Sequence, residues 1–191
     1  MERSMVLPLG AAVTPIGEEA PELRDFAEIY AESFRAIWRT LRRLGVTPAQ
    51  LDDAAQDVFL VVHRRLPSFD GRSLRGWLYA IAVRVASDYR RGVVRRRTLP
   101  LSGALADPAP DPARTSELNE SVRLLHALLS ELSEAKRTAF VLAELEELSV
   151  PEIAEALGEN LNTVYSRVRA ARAEFDEALR RERARSDRRD R

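Results

Sequence analysis

The stretch SVPEIAEALGENLNTVYSRVRAAR, residues 149–172, decides the fold. Ser149 followed three residues later by Glu152 is a capping box. It opens a short helix carrying Ile153, Ala154, Ala156 and Leu157. Gly158 supplies the left-handed backbone of a tight turn, and Asn160 caps a second helix over 161–179. Ala154 is small where two helices would cross closely. The pattern predicts a helix-turn-helix with glycine in the turn. An ordinary αα-hairpin shares it, and the second helix separates the two readings. At roughly 100° per residue, Val164, Val168, Ala171 and Phe175 fall in one narrow sector that faces the core. Asn162, Ser166, Arg169 and Ala173 lie opposite, flanked by Tyr165 and Arg172 on one side and Thr163 and Ala170 on the other. No carboxylate enters this face before Glu174, whereas a merely solvated helix mixes in acids, as the preceding helix does. A polar, basic face of this kind suits the major groove of DNA, with its N-terminal half at the base edges. The expected contact set is Asn162, Thr163, Tyr165, Ser166, Arg167, Arg169 and Arg172.

Working outward, the rest of the chain also reads as helix. Phe26, Ile29, Tyr30, Phe34, Ile37, Trp38, Leu41 and Leu44 recur at three- and four-residue spacing until Gly45. Thr47-Pro48-Ala49-Gln50 reads as a second capping box with proline at the first helical position. Its helix buries Leu51, Ala54, Ala55, Val58, Phe59, Val62 and Leu66 and ends before Pro67. A loop over 67–72 holds Phe69, Asp70 and Gly71. A third helix from near Ser73 buries Leu74, Trp77, Leu78, Ile81, Ala82, Val85 and Tyr89. Prolines at 100, 108, 110 and 112 deny residues 99–116 a helix and mark a linker. Beyond it Leu118, Val122, Leu125, Leu128, Leu129 and Leu132 restore the helical period, and Ser133 caps the next helix, with Phe140, Ala143 and Leu148. The expected class is all-α. A flexible N-terminus over 1–20 precedes a three-helix domain at 21–98, the linker at 99–116, a helix-turn-helix domain at 117–182, and a frayed charged tail at 183–191.

Composition narrows the function. The chain has 191 residues, 30 basic and 30 acidic side chains, no cysteine and two histidines. Net neutrality argues against indiscriminate polyanion binding, and the absence of cysteine excludes disulfides and thiolate metal sites. His63 and His126 are too far apart in sequence to suggest a catalytic or zinc pair. Apolar runs such as 58–62 are far short of a membrane span, and the start MERSMVLPLG lacks a secretion signal, so a soluble, cytoplasmic chain without membrane insertion is expected. Lys136 is the lone lysine; the other bases are arginine, suited to bidentate contact with phosphates and base edges.

Charge is segregated despite the zero sum. Residues 84–97 hold Arg84, Arg90, Arg91, Arg95, Arg96 and Arg97 against Asp88 alone, while 144–159 hold six glutamates and no base. Six arginines exceed what a helix C-terminus needs, so phosphate contact is expected there. Phe69, Trp77 and Tyr79 beside this strip suit unstacked bases, although Trp77 also falls on the apolar stripe. Asp52, Asp53, Gln56 and Asp57 decorate the second helix. One helix offers too few oxygens for a hard cation, and acids suit a first turn, so protein docking or helix stabilisation ranks ahead of metal. Neither a metal nor a cofactor is expected.

These residues carry a family resemblance. Asp52-Asp53-Ala-Ala-Gln56-Asp57-Val-Phe59-Leu60, then Phe69-Asp-Gly, then Gly76-Trp77-Leu78-Tyr79-Ala-Ile81-Ala82 closely resembles region 2 of bacterial RNA polymerase sigma factors of the extracytoplasmic-function (ECF) subfamily. Leu132-Ser-Glu-Ala-Lys-Arg-Thr-Ala-Phe140 through Glu152-Ile153-Ala154 and Thr163-Val164-Tyr-Ser166-Arg167 is similar to region 4. The resemblance implies a non-enzymatic promoter-specificity subunit. Asp52, Asp53, Gln56, Asp57 and Phe59 would dock on the beta-prime clamp helices of core RNA polymerase. Phe69, Asp70, Trp77, Arg84, Arg90, Arg91 and Arg95 would capture the melted minus-ten strand. Region 4 would enter the minus-thirty-five major groove and meet the beta flap, and an anti-sigma partner would hold the free protein off polymerase. Arg84, Tyr165 and Ala170 depart from residues frequent in the family, so no promoter sequence follows from the resemblance.

Geometry permits two DNA elements. An 18-residue linker spans at most about 60 Å, roughly 17 base pairs of duplex. Two other classes fit the residues less well: a stand-alone helix-turn-helix regulator with 21–98 as its sensing or dimerisation domain, and a magnesium nuclease using Asp52, Asp53 and Asp57.

Overall fold

The computed structural model describes residues 25–92 and 112–189. Helix α1 (Phe26–Arg43) starts at Asp25, whose carboxylate accepts from the Ala27 amide. It ends in a Schellman motif: Gly45 at φ 93° lets its own amide reach Arg42 O and lets the Val46 amide reach Leu41 O. Helices α2 (Leu51–Arg65) and α3 (Leu74–Arg90) pack across α1. Their shared interior gathers Phe59 with Tyr30 and Phe34, ring centroids 4.8 and 5.9 Å away.

The second half comprises α4 (Pro112–Glu131), α5 (Glu134–Phe140), α6 (Val150–Leu157) and α7 (Leu161–Arg189). Phe140 stacks on Phe175 at 4.4 Å, pinning α5 to α7. A single π turn, Val141–Leu145, extends α5 and buries Val141 and Leu142. Glu147, at φ 52°, is the only non-glycine residue with positive φ among the described residues. That conformation costs a side-chain-bearing residue about 1–2 kcal/mol. The chain accepts it where Leu148 N returns to Leu142 O and Glu146 is turned inward.

Several expectations change. Thr47 makes no side-chain cap; a 3₁₀ turn, Pro48–Gln50, comes first and α2 begins at Leu51. Proline φ suits that tighter turn, and the Thr47 hydroxyl instead donates to Gln50 Oε1 at 2.8 Å. Pro67, expected to follow the helix end, lies inside a second 3₁₀ turn, Leu66–Ser68. Ser133 occupies the N-cap of α5 without a side-chain bond. Residues 112–116, read as linker, are the first turns of α4, because proline at a helix start forfeits no bond the helix would have made. The expected linker over 99–111 and the N-terminal segment 1–20 lie outside the described residues. The charged tail is helical through Arg189, supported by Arg181–Glu177 and Arg185–Glu182 pairs and by Arg181 reaching Glu131 of α4.

The two halves pack against each other. Buried apolar residues form one continuous cluster from Ile29 to Ala171, and α3 meets α6 along the seam.

Gly45 and Gly158 test these turns. Alanine at either is expected to cost about 1 kcal/mol for its left-handed backbone. Gly45→Ala is expected to cost more, because its methyl would collide with Nη1 of Arg137, a side chain that holds the Leu129, Ser130 and Leu132 carbonyls. Urea unfolding of both variants reads the order; equal losses would exclude Arg137 from the difference.

Candidate nucleic-acid interface

The helix-turn-helix forms as its residues dictate. The Ser149 hydroxyl accepts from the Glu152 amide while Glu152 Oε2 accepts from the Ser149 amide at 2.8 Å. These bonds to Ser149, its hydroxyl above all, hold the Glu152 carboxyl below its ordinary range. Gly158 closes the turn at φ 65°, and Asn160 Oδ1 accepts from the Asn162 amide at 2.8 Å. Val164, Val168 and Ala171 are buried and Phe175 half-buried. Asn162, Thr163, Ser166, Arg169 and Arg172 are exposed, and Tyr165 is 56% exposed. The face is less free of acid than its own helix suggests. Glu159 pairs with Arg167, and Glu144 of the π turn accepts from Arg172 Nε at 2.7 Å. Arg169 alone of the three arginines has no hydrogen-bond or ion-pair partner among the described residues.

The second surface lies on α3 and the loop before it. Phe69 and Trp77 lie 4.9 Å apart with rings inclined at 35°, and Asp70 Oδ1 accepts from the Arg72 amide at 3.2 Å in a local Asx turn. They line a pocket of about 150 Å³, and Glu152, Glu155 and Ala156 of α6 line its other side. Arg72 meets Glu155 at 3.5 Å over this junction. A larger cleft of about 810 Å³ continues between the halves, with Trp77, Arg84 and Arg91 on one wall and Leu157, Glu159 and Arg167 on the other. The acidic helix of the helix-turn-helix thus sits over the aromatic and basic surface of the first half.

The arginines divide. Arg84 and Arg91 are exposed, Arg91 pairing with Asp88 at 2.7 Å. Arg90 is largely enclosed, bound to Leu44 O and to Glu134 of the other half, so it serves the seam rather than a phosphate. Glu134 also accepts from Ser87 Oγ at 2.7 Å; that bond and Arg90 hold its carboxyl low. Arg95, with Arg96 and Arg97, lies outside the described residues. Tyr79, proposed for base stacking, is buried.

On the acidic helix, Asp53 is exposed and Gln56 half-buried. Asp52 accepts the Trp38 indole N–H at 2.9 Å, and Asp57 accepts the Tyr89 hydroxyl at 2.9 Å. Burial and the Asp57 bond push the Tyr89 phenol up. Phe59 is 1% exposed and cannot touch a partner directly; it holds α1 and α2 together beneath the acidic turn.

Glu146 was not singled out in sequence, yet it organises the seam. It is 5% exposed. Oε1 accepts from Thr40 Oγ1 and Arg43 Nη1, each at 2.7 Å, and Oε2 accepts from the Tyr79 hydroxyl at 2.6 Å. Arg75 donates to its backbone carbonyl. All four donors belong to the first half. The available signal was its spacing: Glu146 stands four residues after the buried Leu142, in phase with the apolar stripe.

Known proteins share this organisation. Residues 29–97 match the family model "Sigma-70 region 2", and residues 123–175 match "Sigma-70, region 4". The ECF RNA polymerase sigma factor SigE of Mycolicibacterium smegmatis is 29% identical over 177 residues, covering 90% of this chain and 68% of that protein. The RNA polymerase sigma factor NccH of Alcaligenes xylosoxydans xylosoxydans is 31% identical over 162 residues, covering 81% and 86%. The solved structure of CnrH in complex with the cytosolic domain of CnrY superimposes with a TM-score of 0.61 at 27% identity, covering 81% and 86%.

The Tyr79–Glu146 bond carries a pH signature. Burial, then the Glu146 bond, raises the Tyr79 phenol from 10.0 to about 12. The stabilisation is therefore complete below pH 10 and lost as pH rises through about 12. Tyr79→Phe is expected to cost about 1–3 kcal/mol at neutral pH, the value of a bond to a charged group, and to flatten part of the stability loss above pH 10. Urea unfolding between pH 7 and pH 11.5 measures both; an unchanged alkaline slope would remove Tyr79 from it.

Proposed function

The chain belongs to the ECF group of RNA polymerase sigma factors, and from that membership we propose how its two surfaces divide promoter recognition. It is a promoter-directing subunit of transcription initiation, and its family is not an enzyme family. The exposed start of α7 reads the minus-thirty-five duplex in the major groove through Asn162, Thr163, Tyr165, Ser166, Arg167, Arg169 and Arg172. The Phe69–Trp77 pocket, with Asp70, Arg84 and Arg91, takes unstacked bases and backbone of the melted minus-ten strand. Asp52, Asp53, Gln56 and Asp57 form the acidic side offered to the beta-prime clamp helices, and the helix-turn-helix domain meets the beta flap. We assign the chain no catalytic step, cofactor or metal, and a cytoplasmic location; no described helix is long and apolar enough to cross a membrane.

One observation carries this reading: an aromatic, arginine-flanked pocket and a groove-reading helix occur in one chain, on separate helical units. A stand-alone regulator needs only the second. The packing of α6 over the pocket adds a step. Trp77, Arg84 and Arg91 share their cleft with Leu157, Glu159 and Arg167, so the halves must separate before a strand can enter the pocket, whereas most of the α7 face is already exposed, and binding to core polymerase supplies that opening. An anti-sigma partner would act on the same equilibrium; CnrH, the relative solved in complex, is held by the cytosolic domain of CnrY.

Runoff transcription with core polymerase on a promoter library tests the whole reading, and no initiation anywhere would end it. Arg169→Ala is expected to weaken promoter binding by the assembled holoenzyme about tenfold or more, as loss of a 1–3 kcal/mol base contact does, with core assembly intact. Asp53→Arg is expected to impair core assembly without loss of stability, because Asp53 is exposed; Asp57→Arg would also break the bond to Tyr89. Native-gel titration against core enzyme measures assembly, and normal assembly of the Asp53 variant would remove the docking role.

A further inference from the structure

We propose that the closed chain binds a small polyvalent phosphate, an inorganic oligophosphate or the oligophosphate end of a nucleotide, in the pocket formed by Arg42, Arg43, Arg123, His126 and Arg137. The pocket measures about 330 Å³ and shares no lining residue with the cleft that holds the nucleic-acid surfaces. Both halves build it. Arg42 and Arg43 come from the last turn of α1, Arg123 and His126 from α4, and Arg137 from α5.

The charge balance calls for an anion. Arg43 is answered by Glu146 at 2.7 Å, the one carboxylate among the described residues bonded to any of these side chains. Arg137 spends its donors on the carbonyls of Leu129, Ser130 and Leu132 at the end of α4. These are neutral groups, and Glu134, the carboxylate whose field reaches Arg137, is bonded to Arg90 and Ser87 instead. Arg42 and Arg123 have no hydrogen-bond or ion-pair partner among the described residues. Four guanidinium groups therefore line one concavity in which, among the described residues, only Arg43 forms an ion pair, and the packing of the halves is what brings them together. The resulting positive field acts on His126: burial first, then Arg42 and Arg43, hold its imidazole below the ordinary value.

The shape selects a compact ligand. A pocket of this size lies at the lower end of small-molecule sites. An oligophosphate places several charges within one such concavity, whereas a duplex spreads its phosphates along a convex ridge. Guanidinium forks are the donors suited to phosphate oxygens. Because both halves contribute, such a ligand stabilises the closed arrangement by linkage. It would then oppose loading onto polymerase; that consequence rests on the reading above, while the binding does not.

Isothermal titration of the full chain with tripolyphosphate, pyrophosphate, orthophosphate, ATP and a short duplex tests the site. The expected result is saturable binding near one per chain, tightening from orthophosphate to tripolyphosphate, with a melting temperature raised by about 5 °C at a hundredfold excess over Kd. ATP binding as tightly as tripolyphosphate or tighter identifies a nucleotide site; weaker ATP binding identifies a site for free oligophosphate. The Arg42→Ala/Arg123→Ala double variant is expected to weaken binding at least about tenfold. Its circular dichroism should be unchanged, since neither side chain bonds another described residue. No saturable binding, affinity retained in the double variant, or displacement of tripolyphosphate by the duplex at lower concentration would each overturn the proposal, the last by making the pocket a nucleic-acid backbone contact.

Discussion

A carboxylate buried against the opposite half of the molecule sets the arrangement of everything else. Glu146 gives up its water for three side-chain donors, Thr40, Arg43 and Tyr79, while Arg75 takes its carbonyl. A buried ion left with a missing donor costs several kcal/mol, so the seam admits one register: the one in which all four donors meet this residue. The π turn precedes this inward-turned residue and the left-handed Glu147 follows it, so the chain departs from regular helix on both sides of the clasp. A fully paired buried ion contributes little net adhesion, since its attraction is offset by the desolvation of both partners. The clasp specifies how the halves meet without making their separation prohibitive, a property suited to a joint that has to open.

The surface pairs around the clasp follow the same logic. Arg72 and Glu155 are both well exposed, and such pairs are worth between nothing and about 1 kcal/mol. The acidic α6 therefore lies over the Phe69–Trp77 pocket as a weak occupant. In the reading proposed above, a nucleic-acid strand would supply denser negative charge and flat bases for the two rings and would displace carboxylates of this kind. Glu144 and Glu159 stand in the same relation to Arg172 and Arg167 on the groove-reading helix. Each nucleic-acid surface is screened by acids from elsewhere in the second half, which gives physical content to a net charge of zero.

Local patterns made much of this legible. The Ser149–Glu152 box, the left-handed Gly158 and the Asn160 cap were all readable, because each is satisfied within a few residues of chain. The buried stripe Val164, Val168 and Ala171 followed from helical period alone. What periodicity missed depends on partners distant in sequence. Glu146 looked like one more solvated acid because Thr40 lies 106 residues away. Arg90 looked like a phosphate ligand because Glu134 lies 44 residues on. Phe59 and Tyr79 carried family-level or compositional roles that their burial reassigns to packing. Proline content misplaced the start of α4, since a proline at a first turn and one inside a helix look alike in composition but differ in cost.

The arginine-for-lysine bias takes on meaning in this frame. A lysine in place of Arg90 or Arg137 would offer one compact ammonium where the structure uses a planar fork reaching two or three acceptors at once. Arg90 bridges a backbone carbonyl of its own half to a carboxylate of the other, and Arg137 gathers three carbonyls at the end of α4. Fork geometry thus lets one side chain tie several acceptors together at and beside the seam.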